Sequence, residues 1–237
     1  MRKNKSPCQC EAKRSLPEGD HVTMSPIVRI FLFSAFCFLL SVFITGCAKK
    51  EIANINSTGK NIICFGDSIT FGYGASPGYD FPARLAKLVK SPVINLGIDG
   101  DTTTEGLQRI NNYVLERDPL LVIIEFAGND FLKKIPMEAT VKNVKEMIDM
   151  SLSKGAMVAL VDISAGMFFR DYRIAFSKIA QEKGVIFIPS VLNGIITNPM
   201  LKSDFLHPND NGYNMVALKI YKAISPYLKK NLILKQK

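Results

Sequence analysis

Five residues spread along the chain are of the types that acyl transfer requires. Ser68 lies in Gly66-Asp67-Ser68-Ile69-Thr70, directly after the apolar run NIICF at 61–65. A serine hydroxyl is a weak nucleophile until a base comes within hydrogen-bond reach. The chain has two histidines, and His21 sits in a polar N-terminal stretch, so His207 is the candidate base. Asp204 precedes it by three residues in DFLHP. One turn can then lay the carboxylate on the imidazole, setting its tautomer and stabilising the imidazolium. A tetrahedral intermediate also needs donors aimed at its oxyanion. The backbone N–H groups of Ser68 and Gly100 and the side-chain amide of Asn129 are the candidates. Glycine at 100 permits a close backbone approach that a Cβ would obstruct.

The elements that must carry these residues repeat regularly. Short β-branched apolar runs occur at 61–65, 93–96, 120–126, 156–163 and 185–189. Helical periodicity fills the intervals at 79–90, 103–117, 137–153 and 168–183, and a last helix is expected over about 211–229. In 103–117, for example, Leu107, Ile110, Val114 and Leu115 share one face. Such alternation predicts one α/β domain with a parallel sheet covered on both faces. The polar loops 66–70, 97–102 and 128–130 each follow a strand, so all three emerge at the carboxyl edge, where open α/β sheets bind ligands. The 204–208 segment lies between the last strand and the last helix and can reach the same edge.

Four segments carry a family resemblance. FGDSITFGYG, NLGIDGDTT, FAGND and DFLHP resemble, in order and spacing, the four blocks of the SGNH (GDSL) hydrolases. The thioesterase I/lysophospholipase L1/arylesterase branch is the most similar. It shares the GDT of the second block, an acid before GND (here Glu125) and a similar final helix. The resemblance implies a flavodoxin-like three-layer sandwich with a five-stranded parallel sheet of order 2-1-3-4-5. It also implies metal-independent, cofactor-free hydrolysis of acyl esters or thioesters. Ser68, Asp204 and His207 would be catalytic, and Ser68, Gly100 and Asn129 would form the oxyanion hole. Two departures bear on substrate choice: Ile69-Thr70 replaces the branch's frequent Leu-Ser, and FLKKIP after GND lacks its Arg-Gly turn. The G-x-S-x-G elbow of α/β-hydrolases is absent, since Thr70 stands two residues after Ser68. Two other readings use the same fold: a carbohydrate O-deacetylase on cell-surface glycans, and a non-catalytic lipoprotein that binds acylated ligands.

Several polar or reactive residues have plainer readings. Asp67 and Asp101 organise their loops, Glu125 in an apolar strand must be hydrogen-bonded or partly neutral, and Cys64 is a small core residue. With a single imidazole beyond the leader and no paired Cys motif, no metal site is expected.

The N-terminus reads as an export signal. Residues 30–45, IFLFSAFCFLLSVFIT, are uncharged and follow Arg29. This length suits a secretory h-region better than a membrane span. Ile44-Thr45-Gly46-Cys47 then resembles the lipobox of bacterial lipoproteins, in which the Cys is lipidated after cleavage before it. The expected organisation is a leader over 1–46, lipidated Cys47 and a tether over 47–60, a hydrolase domain over 61–230 and a polar tail over 231–237. Met24 is an alternative start that gives the leader an ordinary length. The result is an exported, membrane-anchored lipoprotein whose partners are an ester substrate and a lipid surface. The formal charge of +9 is scattered among acids, which argues against nucleic acid as a partner. Nothing in the sequence indicates a partner protein.

Overall fold

The computed structural model describes residues 51–167 and 169–236. Five parallel strands form one sheet: β1 (Asn61–Gly66), β2 (Val93–Gly97), β3 (Pro119–Glu125), β4 (Met157–Val161) and β5 (Ile186–Ile188). Their order is β2-β1-β3-β4-β5, as the resemblance implied. The central strands are apolar almost throughout because both of their faces are covered. Alternate residues point to opposite faces. Cys64, Leu121, Ile123 and Ala159 pack on one side, and Ile63, Phe65, Val122, Ile124 and Leu160 on the other.

Two helices cover the first face, α2 (Phe81–Val89) and α7 (Asp210–Lys235). The second is covered by α3 (Thr103–Tyr113), α5 (Met137–Ser153) and α6 (Arg170–Lys183). From α7, Val216, Ile220 and Ile224 are fully buried, and each contributes about 1.5–3 kcal/mol relative to exposure. Two short helices that sequence periodicity does not reveal, α1 (Ser68–Phe71) and α4 (Gly128–Leu132), start just after β1 and β3. The register aligns the site: Gly66 at the end of β1 lies opposite Gly97 of β2 on one side and Glu125 of β3 on the other. Three loops therefore leave the sheet at one level.

Both termini of the domain differ from expectation. The segment 51–60 is packed rather than loose. Ile52 and Ile55 pack against the core, the Asn54 amide donates to the carbonyls of Leu152 (2.8 Å) and Ala156 (3.0 Å), and Ser57 and Gly59 are buried. Asn54 is polar because it binds backbone carbonyls, whereas Glu51, Asn56, Thr58 and Lys60 face solvent. At the other end, the expected tail continues α7 to Lys235. Buried Asn231 donates to the carbonyls of Ile55 and Ser57, both at 2.9 Å, and so ties the two termini together. The leader and Cys47 lie outside the described residues. Among the described residues, no helix is long and apolar enough to cross a membrane.

Candidate active site

The site begins with the way α1 is started. Asp67 is its N-cap and accepts from the Ile69 N–H at 3.0 Å, while Glu125 Oε2 accepts from the Thr70 N–H at 3.2 Å and from the Thr70 hydroxyl at 2.7 Å. The opening turn of a helix has N–H groups with no intrahelical acceptor. Two of them, at Ile69 and Thr70, are satisfied here by carboxyl oxygens. The Ser68 hydroxyl lies 3.1 Å from His207 Nε2, and His207 Nδ1 lies 2.8 Å from Asp204 Oδ2. The structure thus joins residues 139 positions apart in a Ser–His–Asp chain.

The histidine loop is held from several directions. Asp204 Oδ1 accepts from the N–H groups of Leu206 (2.7 Å) and His207 (2.8 Å), forming the local turn anticipated from the three-residue spacing. Burial opposes the charge on Asp204. The hydrogen bonds from the His207 ring and from these two N–H groups outweigh it and hold the carboxyl below its ordinary pKa. Asn209 caps α7 through the N–H groups of Asn211 and Gly212, anchoring the chain just beyond His207. The Tyr73 ring lies against the imidazole, with centroids 4.5 Å apart. Buried Tyr213 donates to the Tyr73 carbonyl at 2.9 Å.

Asn129 and Gly100 come from the neighbouring loops. Asn129 Nδ2 donates to the Asp101 carbonyl at 2.9 Å, which leaves its second amide hydrogen available. Residues 98–101 form a turn closed by the Asp101 N–H on the Ile98 carbonyl, with Gly100 in its third position at φ +83°. That position of a type II turn needs positive φ. A Cβ placed on Gly100 would meet no protein atom within 4 Å. Glycine is therefore required by backbone conformation and not by crowding from the protein. Gly97 is different, because a Cβ there would lie 2.0 Å from the Phe71 nitrogen, so it admits the close passage of α1.

Sequence reasoning passed over the residues that hold this arrangement. Half-buried Arg109 donates to Asp101 (2.7 Å) and to the carbonyls of Leu96 (2.9 Å) and Gly66 (3.1 Å), and its guanidinium lies 4.3 Å from the Phe65 ring centroid. One side chain thereby clamps the ends of β1 and β2 to the Gly100 turn. Fully buried Asp130 accepts from the Thr103 N–H (2.9 Å), the Thr103 hydroxyl and the Thr140 hydroxyl (3.0 Å), fixing α4 against α3 and α5. Its position beside Asn129 in GND was the available signal. Ala127, immediately before Gly128-Asn129, has φ +113°, a strained conformation for a residue with a Cβ. Beyond β4, buried Asp162 accepts from Ser164 N–H (3.0 Å), Ser164 hydroxyl (2.6 Å) and Ser190 N–H (2.9 Å), joining the loops after β4 and β5.

A cavity of about 470 Å³ opens onto Ser68, Asn129 and His207. Phe131, Leu132, Ile163, Phe169, Leu192 and Ile196 give it a largely apolar wall, with Asp67, Asp99, Thr197 and Lys202 as its other polar side chains. The profile of the GDSL-like lipase/acylhydrolase family matches residues 64–215, which contain all five candidate residues. The chain belongs to this family. Curated relatives of this GDSL-like hydrolase include an arylesterase of Vibrio mimicus, 28% identical over 76% of this chain and 93% of the relative. Another is the thioesterase 1/protease 1/lysophospholipase L1 of Escherichia coli K12, 28% identical over 70% of this chain and 83% of its own. Among solved structures, TesA superposes with a TM-score of 0.65 at 26% identity, covering 71% of this chain and 99% of that one. The esterase AlinE4 superposes with a TM-score of 0.56 at 27% identity, covering 74% and 99%. The family and these relatives make the protein an ester hydrolase of the SGNH type.

Beneath the nucleophile, the GDSL-like hydrolase buries two carboxyl groups, Asp67 and Glu125. Burial raises the pKa of Asp67 well above the ordinary range, and the neighbouring Glu125 charge adds to this. Burial also raises that of Glu125. Glu125 Oε1 is buried with no hydrogen-bond donor among the described residues, a setting that favours a protonated carboxyl over a charged one. A carboxyl whose pKa is raised on folding keeps a proton that the unfolded chain has lost. Stability therefore falls as pH rises from the unfolded pKa, near 4, through the folded one, at about 1.4 kcal/mol per pH unit for one proton. Glu125→Gln keeps an acceptor for Thr70 and points an amide at Asp67. Denaturant unfolding between acid and neutral pH is expected to show a shallower decline for the variant than for the wild type. Parallel curves would mean that no proton is held there.

Proposed function

We propose that this hydrolase cleaves medium-chain acyl or aryl esters and thioesters through a Ser68 acyl-enzyme. The observation that carries this reading is an apolar cavity opening directly onto the Ser68–His207 pair. Ser68 Oγ attacks the acyl carbon while its proton passes to His207 Nε2. The carbonyl electrons move onto oxygen, which is held by the N–H groups of Ser68 and Gly100 and by the Asn129 amide. Collapse expels the alcohol or thiol, which takes the proton from His207. Water then repeats the sequence, with His207 as base, and releases the acid. Asp204 keeps Nδ1 protonated and steadies the imidazolium.

A series of p-nitrophenyl acetate, butyrate and octanoate tests the acyl preference. Each buried methylene is worth about 0.8 kcal/mol, or roughly fourfold in kcat/KM. We expect kcat/KM to climb from acetate to octanoate. A series that falls after acetate would instead favour the O-deacetylase reading. That reading has one point in its favour, a 25% identical structural relative described as a two-domain esterase active on acetylated mannans. The shortage of polar groups to hold sugar hydroxyls speaks against it. Asn129→Ala is expected to lower kcat by about 10²–10³-fold, the usual cost of losing one oxyanion donor. A loss below threefold in a folded variant would remove Asn129 from the mechanism.

The same reading includes export and lipidation at Cys47. It rests on the uncharged run 30–45 followed by Gly46-Cys47.

A further inference from the structure

The first described residues do not start near the catalytic edge. Ala53 N–H donates to the Gly184 carbonyl just before β5, and Asn54 binds the carbonyls on either side of the turn before β4. Gly59 lies against the first peptide of β3. Residues 51–60 are thus laid along the amino edge of the sheet, opposite the edge that carries Ser68. The end of α7 is at that edge too, since Lys230 pairs with Glu51, Asn231 holds Ile55 and Ser57, and Lys235 Nζ reaches the Gly59 carbonyl at 3.3 Å.

The surface around this point has a distinct chemistry. On the last turns of α7, Leu232 and Ile233 are more than half exposed, and Lys229, Lys230 and Lys235 stand among them. Lys229, Leu232 and Ile233 share the outward face, at i, i+3 and i+4. Exposed Lys60 and Lys154 precede β1 and β4 at the same edge. The acids there are Glu51, Asp118, Asp149 and Glu182, each already paired with a lysine, and Glu116, which Arg117 balances in sequence. Exposed aliphatic side chains amid lysines, of which Lys229 and Lys154 have no acidic partner among the described residues, suit an anionic lipid surface.

We infer that this amino edge docks on the anionic membrane that holds Cys47, and that the catalytic cavity opens away from it. The inference rests on lipidation of Cys47. Only three residues separate Cys47 from Glu51, and even a fully extended chain spans no more than about 14 Å over those four steps. The packed 51–60 segment removes the slack that a loose tether would give. At 1.5 Å per residue, the 26 residues of α7 run about 39 Å from the His207 loop to the lysines. Ser68 therefore stands some tens of ångströms above its own bilayer. Its substrates arrive from solution or from an opposing surface, not from the leaflet beneath.

The test uses the full chain, purified after expression in a bacterium and reconstituted into vesicles of equal parts phosphatidylglycerol and phosphatidylcholine. Mass spectrometry first reports whether Cys47 carries lipid. Amine labelling then compares the base lysines 229, 230 and 235 with Lys133 and Lys134, which flank the cavity. Relative to the same protein in detergent, the base lysines are expected to label several-fold more slowly in vesicles and Lys133 and Lys134 at an unchanged rate, and octanoate turnover is expected to match that in detergent. A triple variant with Gln at 229, 230 and 235 is expected to lose the protection of Lys60 and Lys154 while keeping its turnover. Unmodified Cys47 would overturn the anchor and the inference with it. Lipidated Cys47 with uniform labelling, or with protection at Lys133 and Lys134, would overturn the docking face alone.

Discussion

Ser68→Ala is expected to abolish ester turnover and leave the fold intact. Among the described residues the hydroxyl bonds only to His207, and Asp67, not Ser68, caps α1, so the helix start does not depend on the lost oxygen. Removing the nucleophile of such a triad costs on the order of 10⁶-fold in kcat. The remaining rate over water comes from the oxyanion donors and from binding. Steady-state hydrolysis of p-nitrophenyl octanoate, with circular dichroism as the folding control, measures the effect. A folded variant retaining a hundredth of the wild-type rate would require another nucleophile. Cys64 is no substitute, since burial pushes its thiol pKa well up and the side chain packs inside the first-face core.

The second large effect is expected from Asp204→Asn. One carboxylate oxygen accepts the N–H groups of Leu206 and His207, and an asparagine oxygen can do the same, so the turn survives. The other oxygen becomes an amide that donates toward Nδ1. Nδ1 must then accept, and the ring presents a protonated nitrogen to Ser68. A wrong tautomer in this setting costs about 10⁴-fold in kcat. In the wild type, the depressed Asp204 pKa keeps the carboxylate charged well into acid. Its charge is lost only as pH falls through that lowered value, so Asp204 stays ionised and keeps its hold on Nδ1 in mildly acid solution. A folded Asp204→Asn variant within tenfold of wild type would contradict the assigned role.

Much of this was legible because period-2 and helical patterns report burial directly. The runs at 61–65 and 93–96 became β1 and β2 with one residue added to each, and 137–153 became α5 without change. Periodicity failed where a few residues turn at a strand end. Four-residue α1 and five-residue α4 contain too little pattern to register, although they place Ser68 and Asn129. The segments 51–60 and 231–237 read as a tether and a tail in sequence for a related reason. Asn54 and Asn231 are polar because they satisfy backbone carbonyls across the fold, and a linear sequence cannot distinguish that from solvation. Arg109 was invisible in the same way, since its three acceptors lie on β1, β2 and the Gly100 turn and converge only after the sheet forms.

That guanidinium has a consequence for how the enzyme can change. Arg109 locks the ends of β1 and β2, which carry the Ser68 and Gly100 loops, into one unit, and Asn129 joins it through the Asp101 carbonyl. The wall residues Ile163, Leu192 and Ile196 come from loops after β4 and β5, which Asp162 fastens to each other separately. The two units meet through packing, with Ile69, Ile163 and Leu192 in one apolar cluster, so volume-conserving changes are the ones that leave the first unit in place. Such changes at 163, 192 and 196 can reshape the acyl cavity while the reacting atoms stay in register. Evolution and protein engineering therefore have an inherited division between a half that performs the reaction and a half that chooses what reacts.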